Sequence, residues 1–116
     1  MAIPFEMTVE QEAGIHIVSV AGALDAATLD EFTNTMGPLI NGPLPNVILY
    51  CKKLQYMNSR SIGQLSHYHR TAMVKGGKLV FWGLSTRLLR SFERLRLKDS
   101  LILCETKEDS LAHFAD

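Results

Sequence analysis

The sequence predicts an α/β fold with a mostly parallel, five-stranded mixed sheet, an antiparallel hairpin at its N-terminal edge and about four helices. Short apolar runs alternate with segments whose apolar residues recur every three or four positions, which is typical of parallel strands joined by helices. The first two runs are separated only by a short turn, which indicates the hairpin. A length of 116 residues with 47% hydrophobic content predicts a single domain over residues 1–116.

The predicted hairpin comes first in the chain. Residues 5–11 alternate loosely between polar and apolar, and a stronger apolar run covers residues 15–20 after the turn Glu12-Ala13-Gly14. The first predicted helix then carries Leu29, Phe32 and Met36 on one face, with Asp25 suited to cap its start. Gly37-Pro38 is expected to end or kink this helix because proline has no N–H to donate, and a short turn through residues 39–40 can follow.

The central unit of the chain is a buried strand, a polar loop and a helix. Residues 46–50 form an almost continuous apolar run, the pattern of a strand that is covered on both faces. In the loop that follows, Asn58, Ser59 and Ser61 can each cap the next helix, and Ser61 with Gln64 fits the capping-box pattern. Hydroxyl groups there would lie beside unpaired N–H groups at the positive end of a helix, a place suited to an anion or a phosphate ester.

A second unit of the same kind follows. Residues 79–82 predict a buried strand, Gly83-Leu84-Ser85 a loop with a helix cap, and residues 85–95 an amphipathic helix. Arg87, Arg90 and Arg94 form a basic stripe on this helix, which is either a solvated surface or a site for acidic partners. Residues 101–104 predict the last strand, and a closing helix follows with Leu111 and Phe114 on its packing face.

Composition and spacing argue against several classes of function. The chain has 12 basic and 12 acidic residues, so no overall field attracts nucleic acid. It has no signal peptide and no apolar run near the ~20 residues that span a bilayer, so we expect a cytoplasmic protein. Cys51 and Cys104 are expected to be reduced, packed thiols, and His67 and His69 have the wrong spacing to chelate a metal. No cofactor is predicted, and no nucleophile elbow or His-plus-acid pattern indicates an enzyme.

Polar residues follow three of the predicted strands. These strand exits cover residues 22–25, 56–61 and 83–85. Because binding groups gather at the carboxyl ends of parallel strands, the three exits are expected to meet at one edge of the sheet.

Two of these exits resemble motifs of the STAS domain family, which includes anti-sigma factor antagonists and the cytoplasmic tails of sulfate transporters. Residues 20–25, Val-Ala-Gly-Ala-Leu-Asp, are similar to the family pattern V-x-G-x-[LI]-D. Residues 54–63 are similar to apolar-[FY]-[MI]-D-S-[ST]-G-L-G, and Gly76-Gly77 then precedes a strand. Within the second motif Asn58 replaces the aspartate, Arg60 the second hydroxyl residue and Ser61 the glycine.

The resemblance implies a protein-binding module for partner switching in transcription regulation. Such a module binds a kinase that also binds a sigma factor, and phosphorylation of the module ends that binding. The implied phosphoacceptor is Ser59, with Ser61 as the lesser candidate. The implied partner-binding surface comprises Asp25, Tyr56, Met57, Asn58, Arg60, Leu84, Ser85 and Arg87.

Several of these residues have two possible roles. Ser59 is either the phosphoacceptor or a helix cap, and Asp25 is a helix cap, an interface acid or both. Arg60 either neutralises a phosphate on Ser59 or stands as a permanent charge in place of the switch. The alternative to a phosphorylated switch is a non-phosphorylated accessory or scaffold subunit of a transport complex or a multi-STAS signalling assembly.

Overall fold

The computed structural model describes residues 2–115. Within that range six strands and four helices follow one another, and the α/β class, the N-terminal hairpin and the four helices are confirmed. In chain order the elements are β1 Glu6–Glu12, β2 Ile15–Leu24, α1 Leu29–Ile40, β3 Asn46–Tyr50, β4 Leu54–Met57, α2 Ser59–Val74, β5 Lys78–Trp82, α3 Thr86–Arg94, β6 Ile102–Cys104 and α4 Lys107–Ala112. The predicted count of five strands was wrong, because β4 was interpreted only as the exit of β3.

The sheet runs in the order β1-β2-β3-β5-β6, with β1 antiparallel to β2 and the later pairs parallel. The ten-residue strand β2 has two parallel partners in succession along its length. β3 pairs with residues 16–19, and β4 pairs with residues 22–24. The carboxyl end of β2 therefore holds the strand that leads into α2.

β4 contains an irregularity that sets the direction of its side chains. Gly22 is opposite Leu54 but Ala23 is opposite Tyr56, so Gln55 is an extra residue on β4. An extra residue of this kind is a β-bulge and breaks the alternation of faces. As a result Leu54 and Met57 are both buried although they are three residues apart, and Tyr56 is turned outward.

The helices cover the two faces of the sheet unequally. The larger apolar cluster joins α1, α2 and α3 to one face through Phe32, Met36, Ile62, Leu65, Leu88 and Phe92. The smaller cluster lies on the opposite face and includes Ile48 and Val80, with Leu111 and Phe114 of the α4 region packed against it. Burial of a large apolar side chain stabilises a fold by about 1.5–3 kcal/mol, so the larger cluster fixes α2 and α3 on the same face.

The structure corrects the predicted cap of α1 and the alternative that α1 ends at Gly37-Pro38. Thr28 occupies the cap position, and the Asp25 carboxylate instead accepts the N–H of Ala27 at 2.9 Å. The helix also does not end at Gly37-Pro38, because it continues through Pro38 to Ile40. Ile40 is fully buried, and the packing of this last turn outweighs the one backbone hydrogen bond that Pro38 cannot make.

Cys51 and Cys104 are free thiols in the structure. Cys51 is fully buried and its thiol donates to the Leu49 carbonyl at 3.4 Å, and burial raises the pKa of this thiol. Cys104 is partly buried, and burial also raises the pKa of its thiol. Among the helices of residues 2–115, none is long and apolar enough to cross a membrane.

Candidate functional site

The junction between β4 and α2 is held by Asn58. This residue has an extended backbone and caps α2, because its side-chain oxygen accepts the N–H of Ser61 at 2.8 Å. Its own N–H donates to the Leu24 carbonyl at 3.2 Å, which ties the start of α2 to the end of β2. The capping box of Ser61 and Gln64 was therefore wrong, as was the possibility that Ser59 caps the helix.

Ser61 is a structural residue in this arrangement. Its side chain is fully buried, and its hydroxyl donates to the same Leu24 carbonyl at 3.1 Å. A kinase needs access to the hydroxyl that it modifies, and this one is both enclosed and hydrogen-bonded. The burial argues against Ser61 as a phosphoacceptor.

Ser59 is in the opposite situation. It is the first residue of α2, it is exposed, and its hydroxyl has no hydrogen-bond partner within residues 2–115. Since Asn58 supplies the cap, the Ser59 hydroxyl is not needed to hold the helix. Arg60 is exposed beside it and forms no ion pair with a described carboxylate.

A surface depression of about 210 Å³ lies against this junction. We call it the Ser59 depression, and its lining comes from β4, α2 and the end of α3: Tyr56, Met57, Asn58, Ser59, Ile62, Ser91, Arg94 and Leu95. Tyr56 and Leu95 are exposed apolar side chains in this lining, at 47% and 40%. The combination provides an apolar rim, the hydroxyl groups of Tyr56, Ser59 and Ser91, and one guanidinium group.

The Arg94 guanidinium group carries a positive charge that no neighbour neutralises. Its Nη2 donates to the Ser91 hydroxyl at 3.0 Å, and no carboxylate of residues 2–115 lies within ion-pair distance of it. Among the residues that the structure describes, no aspartate or glutamate belongs to the lining of the Ser59 depression. The local charge is therefore positive although the net charge of the chain is zero.

The three predicted strand exits lie at the same edge of the sheet, because β2, β4 and β5 run in parallel, but they do not line one depression. The exits of β2 and β4 are adjacent, since Leu24 is opposite Met57. The exit of β5 instead joins that of β6, where the Gly83 N–H donates to the Cys104 carbonyl at 3.0 Å. Leu84 accordingly lines a separate depression of about 340 Å³ with residues that include Leu103 and Glu105.

Ser85 and Arg87 stand at the start of α3, away from the lining of the Ser59 depression. Ser85 caps the helix as predicted, because its hydroxyl accepts the Leu88 N–H at 3.2 Å. Seven residues of helix separate Arg87 from Arg94, about 10 Å along the axis. The role of Arg87 at a partner interface stays a prediction, and the residue of the basic stripe that lines the Ser59 depression is Arg94.

Asp25 remains close to the junction along the chain. It is half-buried and directly follows Leu24, whose carbonyl binds Asn58 and Ser61. The hydroxyl of Thr28 donates to the Ala23 carbonyl at 2.8 Å and accepts the Asp25 N–H at 3.0 Å, which fixes the backbone of this loop. Its role at a partner interface stays a prediction.

The two histidines of α2 differ in burial. His67 is exposed, whereas His69 is only 4% exposed and its Nδ1 has no hydrogen-bond partner in the described chain. Burial lowers the pKa of His69, a hydrogen bond with the Leu79 backbone raises it, and the charge of Arg70 lowers it further. His69 is therefore a neutral packing residue between α2 and β5.

The sheet order, the hairpin and the β4–α2 junction together define a STAS domain. The STAS domain family matches residues 6–110, and the chain belongs to this family. No curated protein matches the chain by sequence.

Solved structures share the fold over nearly the whole chain. An anti-sigma factor antagonist from Mycobacterium paratuberculosis is similar with a TM-score of 0.82 and 22% identity, covering 100% of both chains. The anti-sigma factor antagonist SpoIIAA in its unphosphorylated form has a TM-score of 0.77 and 15% identity, covering 94% of this chain and 96% of that one. The Bacillus cell fate determinant SpoIIAA in its phosphorylated form has a TM-score of 0.71 and 14% identity, covering 95% and 100%.

Proposed function

We propose that this STAS domain is an anti-sigma factor antagonist that binds a kinase-type anti-sigma factor through the Ser59 depression and releases it when Ser59 is phosphorylated. The observation that carries the proposal is the exposed, unbonded hydroxyl of Ser59 at the edge of a surface depression. The similarity to anti-sigma factor antagonists, one of them solved in a phosphorylated form, supports it.

The lining of the depression suggests what a partner must present. Its volume accommodates one side chain, and the exposed rings and methyl groups of Tyr56 and Leu95 offer apolar contact around it. Interfaces of this kind depend on a few apolar or aromatic anchors surrounded by polar groups. An apolar anchor with an acidic neighbour would fit, because Arg60 and Arg94 have no described ion-pair partner.

Phosphorylation would change this surface strongly. A phosphate adds about −1.5 to −2 charge and three acceptor oxygens at the edge of the depression. An acidic partner group would be repelled, and the added volume would oppose entry of an apolar anchor. The chain itself performs no chemistry in this scheme, since the kinase supplies the catalytic groups.

The test uses the purified chain and candidate kinase-type anti-sigma factors from its own genome, with ATP. The expected result is one phosphate by intact mass, mapped to Ser59, and its loss in Ser59→Ala. The matched control is Ser100→Ala, an exposed serine outside the site, which should be phosphorylated like the natural chain. A phosphate that persists in Ser59→Ala would contradict the proposal.

Binding is measured by titration of the same kinases. Phosphorylated protein and Ser59→Asp should bind at least about tenfold more weakly than the natural chain. Tyr56→Ala should weaken binding by about tenfold or more if Tyr56 is an anchor, whereas Val74→Ala, exposed at the far end of α2, should not. Stable association that is unchanged by ATP, by Ser59→Ala and by Ser59→Asp would instead identify a scaffold subunit.

A further inference from the structure

Arg94 is the arginine of the basic stripe that shares a surface with Ser59. The lining of the Ser59 depression includes Arg94 but neither Arg87 nor Arg90. One guanidinium N–H donates to the Ser91 hydroxyl, itself part of the lining, at 3.0 Å. A guanidinium group has five N–H donors in a planar fork that matches phosphate geometry, so most of its donors are available.

The described lining of the depression favours an anion. Among residues 2–115 no carboxylate belongs to that lining, and the position that carries aspartate in the family motif is the neutral amide of Asn58. That amide oxygen accepts the Ser61 N–H and carries no negative charge that would form an ion pair with the guanidinium group. Arg60 adds a second unpaired positive charge next to Ser59.

We propose that Arg94 binds the phosphate of phosphorylated Ser59 within the same chain and holds it in the Ser59 depression. This inference rests on the proposed function, which makes Ser59 the acceptor. In the modification step the Ser59 oxygen forms a bond to the γ-phosphorus of ATP, the bond from that phosphorus to the bridging oxygen of ADP breaks, and the serine proton passes to a base of the kinase. The retained phosphate then occupies the space that the partner's anchor would enter.

This mechanism differs from simple charge repulsion. If the phosphate stayed in solvent, it would act on a partner through its negative charge and its effect would weaken with salt. A phosphate paired with Arg94 is largely neutralised, and it prevents docking because it fills the depression. Loss of Arg94 would then leave the phosphate attached but mobile.

The experiment uses full-length protein with phosphoserine inserted at position 59 by genetic code expansion, so no cognate kinase is needed. Phosphorus NMR follows the second ionisation of the phosphate, whose ordinary pKa is about 6. A neighbouring guanidinium group favours the dianion, so the natural background should titrate at least about half a pH unit lower. Arg94→Gln should raise the phosphate pKa part of the way back to the ordinary value, because Arg60 and the start of α2 still favour the dianion. Arg90→Gln on the same helix should leave the lowered value unchanged.

A substitution of opposite sign completes the series. Asn58→Asp keeps a side-chain oxygen for the helix cap but adds a carboxylate to the lining, so it should raise the phosphate pKa relative to the natural background. Removal of the phosphate by a broad-specificity phosphatase should be several-fold faster in Arg94→Gln than in Arg90→Gln, because a mobile phosphate is more accessible. Equal melting temperatures of the variants confirm that folding is intact.

Two outcomes separate this inference from the proposed function. The same phosphate pKa in the natural, Arg94→Gln and Arg90→Gln backgrounds would overturn the role of Arg94, whatever the kinase experiments give. In the second outcome no candidate kinase modifies Ser59, but the phosphate pKa is lowered and the lowering depends on Arg94. That result would overturn the proposed function and leave a phosphate site whose modifying enzyme is of another class.

Discussion

The two faces of α2 carry similar polar residues in opposite environments. Ser59 and His67 are exposed on the outer face, while Ser61 and His69 are 0% and 4% exposed on the inner face. The inner pair contributes to packing and to the junction with β2, and the outer serine is free to meet a partner. The residue type alone therefore does not show whether a polar side chain on a helix is structural. That depends on whether another element packs against the side chain.

The largest expected difference between the faces is in packing. Leu65 is fully buried on the inner face, so Leu65→Ala should lower the free energy of unfolding by about 2–5 kcal/mol through lost contacts and a residual cavity. Met73→Ala, at a position 58% exposed, should change it by less than about 0.5 kcal/mol. Urea unfolding followed by circular dichroism measures both, and similar losses would contradict the assignment of the faces.

The next effect concerns the cap at the boundary of the two faces. Asn58→Ala removes the acceptor for the Ser61 N–H and should destabilise the fold by about 1 kcal/mol. Asn58→Asp keeps an acceptor and should be as stable as the natural chain, because a carboxylate is favourable near a helix N-terminus. Thermal unfolding distinguishes the two, and an Asp variant as unstable as the Ala variant would show that the cap is not what Asn58 contributes.

The third comparison is between Ser61 and Ser59. Its effect on stability should be similar to that of the Asn58 cap or smaller. Ser61→Ala removes the hydroxyl that donates to the Leu24 carbonyl and should cost about 1 kcal/mol, moderated because that carbonyl keeps the Asn58 N–H. Ser59→Ala should be neutral within about 0.5 kcal/mol, since its hydroxyl holds nothing in residues 2–115. Chemical unfolding of both variants tests this, and a costly Ser59→Ala would contradict a purely functional role for Ser59.

Buried His69 makes the stability of the fold depend on pH. Because burial lowers the pKa of folded His69 below the ordinary value of 6.5, the unfolded chain binds a proton more readily. The contribution of His69 to the free energy of unfolding is complete above the ordinary pKa of 6.5 and is lost as the pH falls from there through the folded pKa. His69→Gln should flatten this part of the curve, and an unchanged slope in His69→Gln would count against the linkage.

Much of the fold was predictable because short apolar runs alternate regularly with segments of helical periodicity. β4 was not, because the extra residue Gln55 leaves Gln55 and Tyr56 both exposed between two buried residues. Such a four-residue strand shows neither alternation nor a continuous apolar run. β4 is a strand because it forms hydrogen bonds with the end of β2, and no local sequence pattern reveals that pairing.

The candidate site was predictable on one side only. Tyr56 to Ser59 follow one another in sequence, so a loop motif was enough to find them. Ser91, Arg94 and Leu95 enter the site because the end of α3 lies beside β4, and that placement depends on how the Leu88 and Phe92 side chains pack. The choice of Asn58 as cap was likewise decided by a distant partner, the Leu24 carbonyl.

Gly22 lies where the chain crosses itself. Its φ is +89°, and an added β-carbon would lie 2.8 Å from the Ile3 carbonyl oxygen and from the Phe5 Cα, while the Ile3 N–H donates to the Gln55 side chain at 3.0 Å. Because Gly22 has no side chain, the segment that contains Ile3 and Phe5 can lie directly against it. From there the hydrogen bond between Ile3 and Gln55 joins this segment to β4, the strand that carries Tyr56. In a mutational scan that measures partner binding, every substitution at Gly22 will therefore reduce binding, as a substitution in the interface would. A parallel measurement of protein abundance will show that the binding is lost because the protein no longer folds.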